Sequence, residues 1–244
     1  MLDGILKDLV AHTAGLGFID VVKITGDKKT TNVDGIAEDK SVVIRAEFDE
    51  VIPEFTGTFG LPNLGKLNVI LGIPEYKEKA EIDVHTQERE GVKTPVSITF
   101  ENAAKDFRNE YRLMSSEIIT ARIPTARFKG ANWDISIEPS LANIQRLKFQ
   151  AQANSDESNF SVKVDKGNLK FFFGDHSSHA GNFVFAEDVT GNLKQTWTYP
   201  IAQVQSVLAS SGDKVMQFSD AGAMMITVLS GVAKYEYIFP AMCK

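Results

Sequence analysis

The chain has 244 residues, with 26 lysines and arginines against 32 aspartates and glutamates, a formal net charge of −6. This length carries a large core without covalent staples, and 43% hydrophobic with 24% charged residues is a globular composition. The balance argues against a simple basic nucleic-acid-binding domain, while a locally positive surface on an acidic body stays compatible with DNA. Cys243 is the only cysteine, which rules out an internal disulfide and points to a reducing compartment. No run of about 18 apolar residues and no charged-then-apolar leader is present, so the expectation is a cytoplasmic protein without membrane contact.

Residues 1–16 read as a helix, with Leu2, Ile5, Leu6, Leu9, Val10 and Thr13 on one face and Lys7, Ala11 and His12 on or beside the other. Strands follow at 18–25, 31–36 and 41–48, separated by turn chemistry at Gly26-Asp27 and Glu38-Asp39. After an irregular passage with Pro53, Gly57 and Gly60, a second helix is expected over 61–71, with Leu64, Leu67 and Leu71 inward. Strands at 80–86, 95–100 and 108–114 close this half.

Residues 115–131 hold Ile118, Ile119, Ile123, Pro124 and Phe128 without periodicity and read as a connector. A strand at 133–138 comes next, then a helix capped by Ser140 with Leu141, Ile144, Leu147 and Ala151 inward. Strands at 159–164, 169–173, 182–187 and 194–199 follow, and Phe171-Phe172-Phe173 reads as apolar on both faces. Pro200 opens a helix carrying Ile201, Val204, Val207 and Leu208. The runs 214–219, 223–229 and 233–239, separated by short turns, form a meander that ends on Tyr237-Ile238-Phe239-Pro240.

Each half therefore has a helix, about three strands, a second helix with proline at its start, and closing strands, with helix starts roughly 60 residues apart. Runs of strands with isolated amphipathic helices indicate an α+β fold of two similar domains, antiparallel sheet with helices on one face. The expected domains are 1–115 and 132–244, joined by the connector 116–131.

This layout, the connector and the closing stretch "KVMQFSDAGAMMITVLSGVAKYEYIFP" (214–240) resemble the DNA sliding clamps of the PCNA type. The chain is most similar to those of T-even-type bacteriophages. The resemblance implies a non-enzymatic processivity factor: a homotrimeric ring around duplex DNA that docks DNA polymerase and is opened by an ATP-driven clamp loader. No cofactor and no metal are implied.

By that resemblance, DNA would be met by Lys7, Lys66, Arg146 and Lys148 on exposed helix faces and by Lys28 and Lys29 in a turn. Partner peptides would dock near Lys40, Val43, Ile119, Ile123, Pro124, Tyr237, Ile238, Phe239 and Pro240. Isoleucines that merely pin the connector to the body are the alternative reading of that segment. The subunit joint would pair the strand with Arg108 and Arg112 against the one with Phe183, Phe185, Glu187 and Asp188. Opposite charge across strands favours such pairing, although edge strands also carry charge to avoid aggregation.

Other readings compete. A monomeric viral processivity subunit would grip DNA through one basic face. Asp175, His176 and His179 suggest a metal enzyme, but their spacing and the flanking Gly174 and Gly181 fit a polar hairpin loop better. A β-rich phage structural protein is a further alternative. No G-x-S-x-G, P-loop or H-E-x-x-H sequence is present.

Overall fold

The computed structural model describes residues 2–77, 80–89, 91–123, 130–174 and 179–242. The chain divides into two compact units, one of residues 1–127 with 230–235 and the other of residues 128–229 with 236–244. Among the described residues no helix is long and apolar enough to cross a membrane.

The first unit opens with α1 (Leu2–Ala11), which buries Leu6, Leu9 and Val10. A short 3-10 turn (Ala14–Leu16) follows, and Gly17 closes it in the left-handed region at φ 85°. Strands β1 (Val22–Gly26), β2 (Thr31–Ile36) and β3 (Val43–Phe48) form an antiparallel run. In β2 every second residue is buried, the period expected of a strand with one core face. The turn between β1 and β2 is held by Asp27, whose carboxylate accepts the N–H groups of Lys29 (2.6 Å) and Thr30 (2.9 Å).

A strand absent from the sequence reading, β4 (Gly57–Leu61), pairs with the free side of β1. Its two glycines differ in role: Gly57 holds a left-handed φ of 85°, whereas a Cβ on Gly60 would lie 2.7–3.0 Å from Ile119 side-chain carbons. Helix α2 (Leu64–Leu71) starts later than expected, because Asn63 caps it by accepting the Lys66 N–H (3.1 Å). It packs against α1 and buries Leu64, Leu67, Ile70 and Leu71. Strands β5 (Glu81–Arg89), β6 (Val92–Glu101) and β7 (Arg108–Arg112) make a separate antiparallel sheet in that order. The connector begins as a helix, α3 (Ser116–Arg122), where the sequence suggested no regular structure.

In the second unit β8 (Ile135–Ile137) precedes α4 (Leu141–Ala153), capped by the Ser140 hydroxyl, which accepts the Asn143 N–H (3.1 Å). Strands β9 (Asn159–Asp165), β10 (Asn168–Phe173), β11 (Gly181–Ala186) and β12 (Trp197–Pro200) form a sheet in the order β11-β10-β9-β12. Helix α5 (Ile201–Ala209) packs on α4 and buries Ile201, Val204, Val207 and Leu208. Strand β13 (Asp213–Ser219) lies between β8 and β14 (Ala223–Leu229). The final strand, β15 (Ala233–Pro240), gives its first residues to the first unit and the rest to the second.

The second core is aromatic. Phe171 stacks on Phe185 at 4.3 Å, tilts against Phe160 at 4.7 Å and meets Phe218 edge-on at 6.4 Å. Each ring buried this fully contributes about 1.5–3 kcal/mol. Phe172 departs from the sequence reading: the alternation of β10 leaves it half-buried while Phe171 and Phe173 point inward. Leu141 also departs, being 86% exposed, because it occupies the first turn of a helix that fully buries only Leu147. The architecture is α+β, with every strand pairing described above antiparallel.

Candidate functional site

Helices α1, α2, α4 and α5 carry four exposed cations and two carboxylates. The paired helices of the first unit carry Lys7 and Lys66 on exposed positions, with Gly4, Ala11, Gly65, Asn68 and Val69 around them. Their carboxylates are Asp3, which accepts a 2.7 Å ion-paired hydrogen bond from Lys7, and Asp8, which is engaged inward. The helices of the second unit contain no carboxylate at all: α4 exposes Gln145, Arg146, Lys148, Phe149 and Gln152, and α5 adds half-buried Gln203, Gln205 and Ser206. A chain with net charge −6 thus keeps α4 and α5 free of carboxylates, while on α1 and α2 two aspartates stand against two lysines. Arg146 lies 5.3 Å from the centre of the Phe183 ring, which steers its guanidinium. Lys28 and Lys29 are exposed in the β1–β2 turn.

The described start of the connector, through Ile123, is pinned to the first unit. Ile119 and Ile123 are 0% and 3% exposed, packed with Val21, Ile36 and Met114. The carbonyl of Ile123 accepts a 3.3 Å hydrogen bond from buried Lys23, which also pairs with Asp34 at 3.3 Å. Exposed apolar surface on α3 comes instead from Ile118, 57% exposed. Beside the connector the first unit has an open groove of about 1070 Å³, with Phe18, Val21, Ile36 and Ile123 among its apolar walls and Asp20, Glu38, Asp39, Lys40 and Arg122 as its charged ones.

The remaining residues expected at a peptide pocket fall as follows. Lys40 is exposed with φ 59°, and Val43 is half-buried. Within the closing strand Tyr237, Ile238 and Phe239 are buried and Pro240 is exposed, and Pro124 lies outside the described residues. Phe18 and Ile36 were not singled out from sequence. The available signal was that each is a large apolar residue at the end of a strand-like run beside Gly17 or the 37–42 turn.

Among the described residues the three sheets end on six edge strands, β4 and β8, β5 and β7, β11 and β12; of these β7 bonds only to β6, and β11 only to β10. Arg108 and Arg112 of β7 are exposed, and Arg112 Nε lies 3.1 Å from Glu110 of its own strand. On β11, Phe183 and Phe185 are 7% and 1% exposed and point into their own core, so the strand offers its backbone rather than those rings. Glu187 and Asp188 follow the strand and are exposed, Asp188 at φ 49° with its N–H bonded to Asn168 Oδ1 (3.3 Å).

Of the described histidines His12 is buried, while His85 and His179 are exposed. His12, expected beside the solvent face, is 1% exposed and stacks on Tyr235 at 4.5 Å. His85 meets the Thr99 hydroxyl at 2.8 Å. Asp175 and His176 lie outside the described residues, as does Cys243. Among the described residues no group of three or more His, Cys, Asp or Glu is placed to hold a metal ion.

No protein-family model and no curated protein matches the chain in sequence. Solved structures do match in fold. The PCNA of A. fulgidus, solved with the C-terminal region of FEN-1 bound, superposes with a TM-score of 0.71 at 11% identity, covering 99% of this chain and 96% of that one. The PCNA of Thermococcus kodakaraensis gives a TM-score of 0.66 at 12% identity, covering 98% and 97%. The chain has the fold of these clamps over essentially its whole length.

Proposed function

We propose that this protein is a DNA sliding clamp: a non-enzymatic processivity factor that closes around duplex DNA as a homotrimer and docks replication proteins. The observation that carries the reading is the clamp fold with cations exposed on its helices. Lys66, Arg146 and Lys148 are exposed on α2 and α4, which contain no carboxylate, and Lys7 is exposed on α1 in an ion pair with Asp3, while the chain as a whole is acidic. Phosphates would be attracted to these faces without base readout, so contact would be sequence-independent and salt-sensitive. Topological closure allows that contact to be weak, because a ring cannot leave an unbroken circle by diffusing sideways.

The open edges of β7 and β11 support the joint between copies. Antiparallel pairing of one copy's β7 with the next copy's β11 would satisfy backbone groups that otherwise face water, with Arg108 and Arg112 approaching Glu187 and Asp188. Because the same two edges serve every joint, the contact is head-to-tail and closes only as a ring. The groove beside α3 would seat a polymerase or another replication partner, and an ATP-driven loader would open the ring. The proposal assigns no bond-making step to the chain.

Retention on circular DNA tests the reading. Protein assembled with its loader on a nicked circle should remain bound through gel filtration at high salt and be released when the circle is cut. Release that is equally fast from circle and linear DNA would contradict encirclement.

A further inference from the structure

The first unit contains a second hollow, about 280 Å³ in volume, formed by the start of α1, the end of β3 with the loop after it, and the turn before β15. Its walls are apolar: Leu2, Ile5, Phe48, Ile52 and Val232 line it. The segment is fixed in place by backbone and side-chain bonds. Asp49 N–H donates to the Val232 carbonyl (3.0 Å), and Ile52 N–H donates to the Thr31 hydroxyl (3.1 Å).

The rim carries Asp49, Glu50 and Glu54, all exposed, and no lysine, arginine or histidine contributes to the walls. Among the described residues none of these carboxylates is in an ion pair. Three unneutralised carboxylates around an apolar hollow repel phosphate and attract cations within about 8 Å at physiological salt. The volume falls just below the roughly 300–1,000 Å³ usual for small-molecule sites. It suits one or two apolar side chains presented by a chain rather than a free ligand.

We infer that this hollow is a docking site for a short basic segment of a partner protein, one aliphatic or aromatic anchor flanked by lysine or arginine. The anchor fills the hollow and the flanking cations meet Asp49, Glu50 and Glu54. The site is separate from the groove beside α3, lacks the cations Lys40 and Arg122 that stand among the carboxylates of that groove, and does not depend on ring closure.

The test is nuclear magnetic resonance of the isotope-labelled full chain titrated with acetyl-Lys-Arg-Leu-Phe-Lys-Arg-amide. The expected result is shifts at Val51, Ile52 and Val232, with an affinity at least tenfold weaker in Glu50→Lys/Glu54→Lys. Both substituted side chains are exposed, so the fold is retained. A peptide with serine for leucine and phenylalanine, and one with glutamate for the basic residues, should leave these signals unmoved. The inference is overturned if the probe shifts none of the three residues, if either control peptide shifts them equally, or if the double variant binds as well. It is also overturned if the three signals move on dilution without probe, which would make a second copy the occupant.

Discussion

Tyr235 donates a 2.7 Å hydrogen bond to the Asp8 carboxylate, joining β15 to α1 across almost the full length of the sequence. Ser230 donates to the same oxygen at 3.1 Å, and His12 stacks on the tyrosine ring at an interplanar angle of 14°. Tyr235 is fully buried, so Tyr235→Phe leaves the ring packed and removes a charge-assisted bond. The expected loss is about 1.5–3 kcal/mol in urea unfolding at pH 7. An unchanged midpoint would show that the bond adds nothing to the first unit.

The same cluster sets a pH dependence. Burial disfavours the Asp8 carboxylate, but hydrogen bonds from His12, Tyr235 and Ser230 and the charge of His12 outweigh it and hold the group below its ordinary value of 3.8. A carboxyl depressed in the folded state binds fewer protons there than in the unfolded chain. Its stabilisation is therefore complete above the ordinary value and is lost as pH falls through 3.8 toward the lower folded-state value. Asp8→Asn should flatten that part of the stability profile in acid. A variant profile parallel to the wild type throughout would refute the assignment.

Gly60 and Ile119 test the seating of the connector. Alanine at position 60 places a Cβ within 3.0 Å of three Ile119 side-chain carbons, in a residue with no exposed surface to yield into. Gly60→Ala should cost about 1–3 kcal/mol by overpacking. Adding Ile119→Val should recover part of it. Independent, additive effects of the two substitutions would contradict the contact.

Salt dependence reads the helix faces. If Lys66 and Lys148 meet phosphates, each substitution by alanine should lower the slope of log K against log salt by about 0.9 on duplex DNA. The weakening should be the same for unrelated sequences. A loss confined to one sequence, or an unaltered slope, would place these residues away from the backbone.

What was legible in the sequence follows the range of the interaction. The capped helix at Ser140, the α5 stripe of Ile201, Val204, Val207 and Leu208, and the runs that became β13 and β14 are local patterns read correctly. Strand β4 was hidden because Gly57 and Gly60 imitate a turn, while the structure uses Gly60 to admit Ile119. Helix α3 is only seven residues, too short for periodicity to register. His12 was placed outward by its helical position, and its partner Tyr235 lies far away in sequence. The expected pocket relied on Ile119, Ile123, Tyr237, Ile238 and Phe239, but apolar residues in a connector or closing strand are equally suited to burial, and these are buried. Of the residues expected there, Lys40 and Ile123 line the groove beside α3.

Ring formation is tested most directly by light scattering of the purified chain over a wide concentration range. The account predicts a mass near three times 26.9 kDa that falls on dilution as the β7–β11 joints open. A mass of 26.9 kDa at every concentration would contradict it.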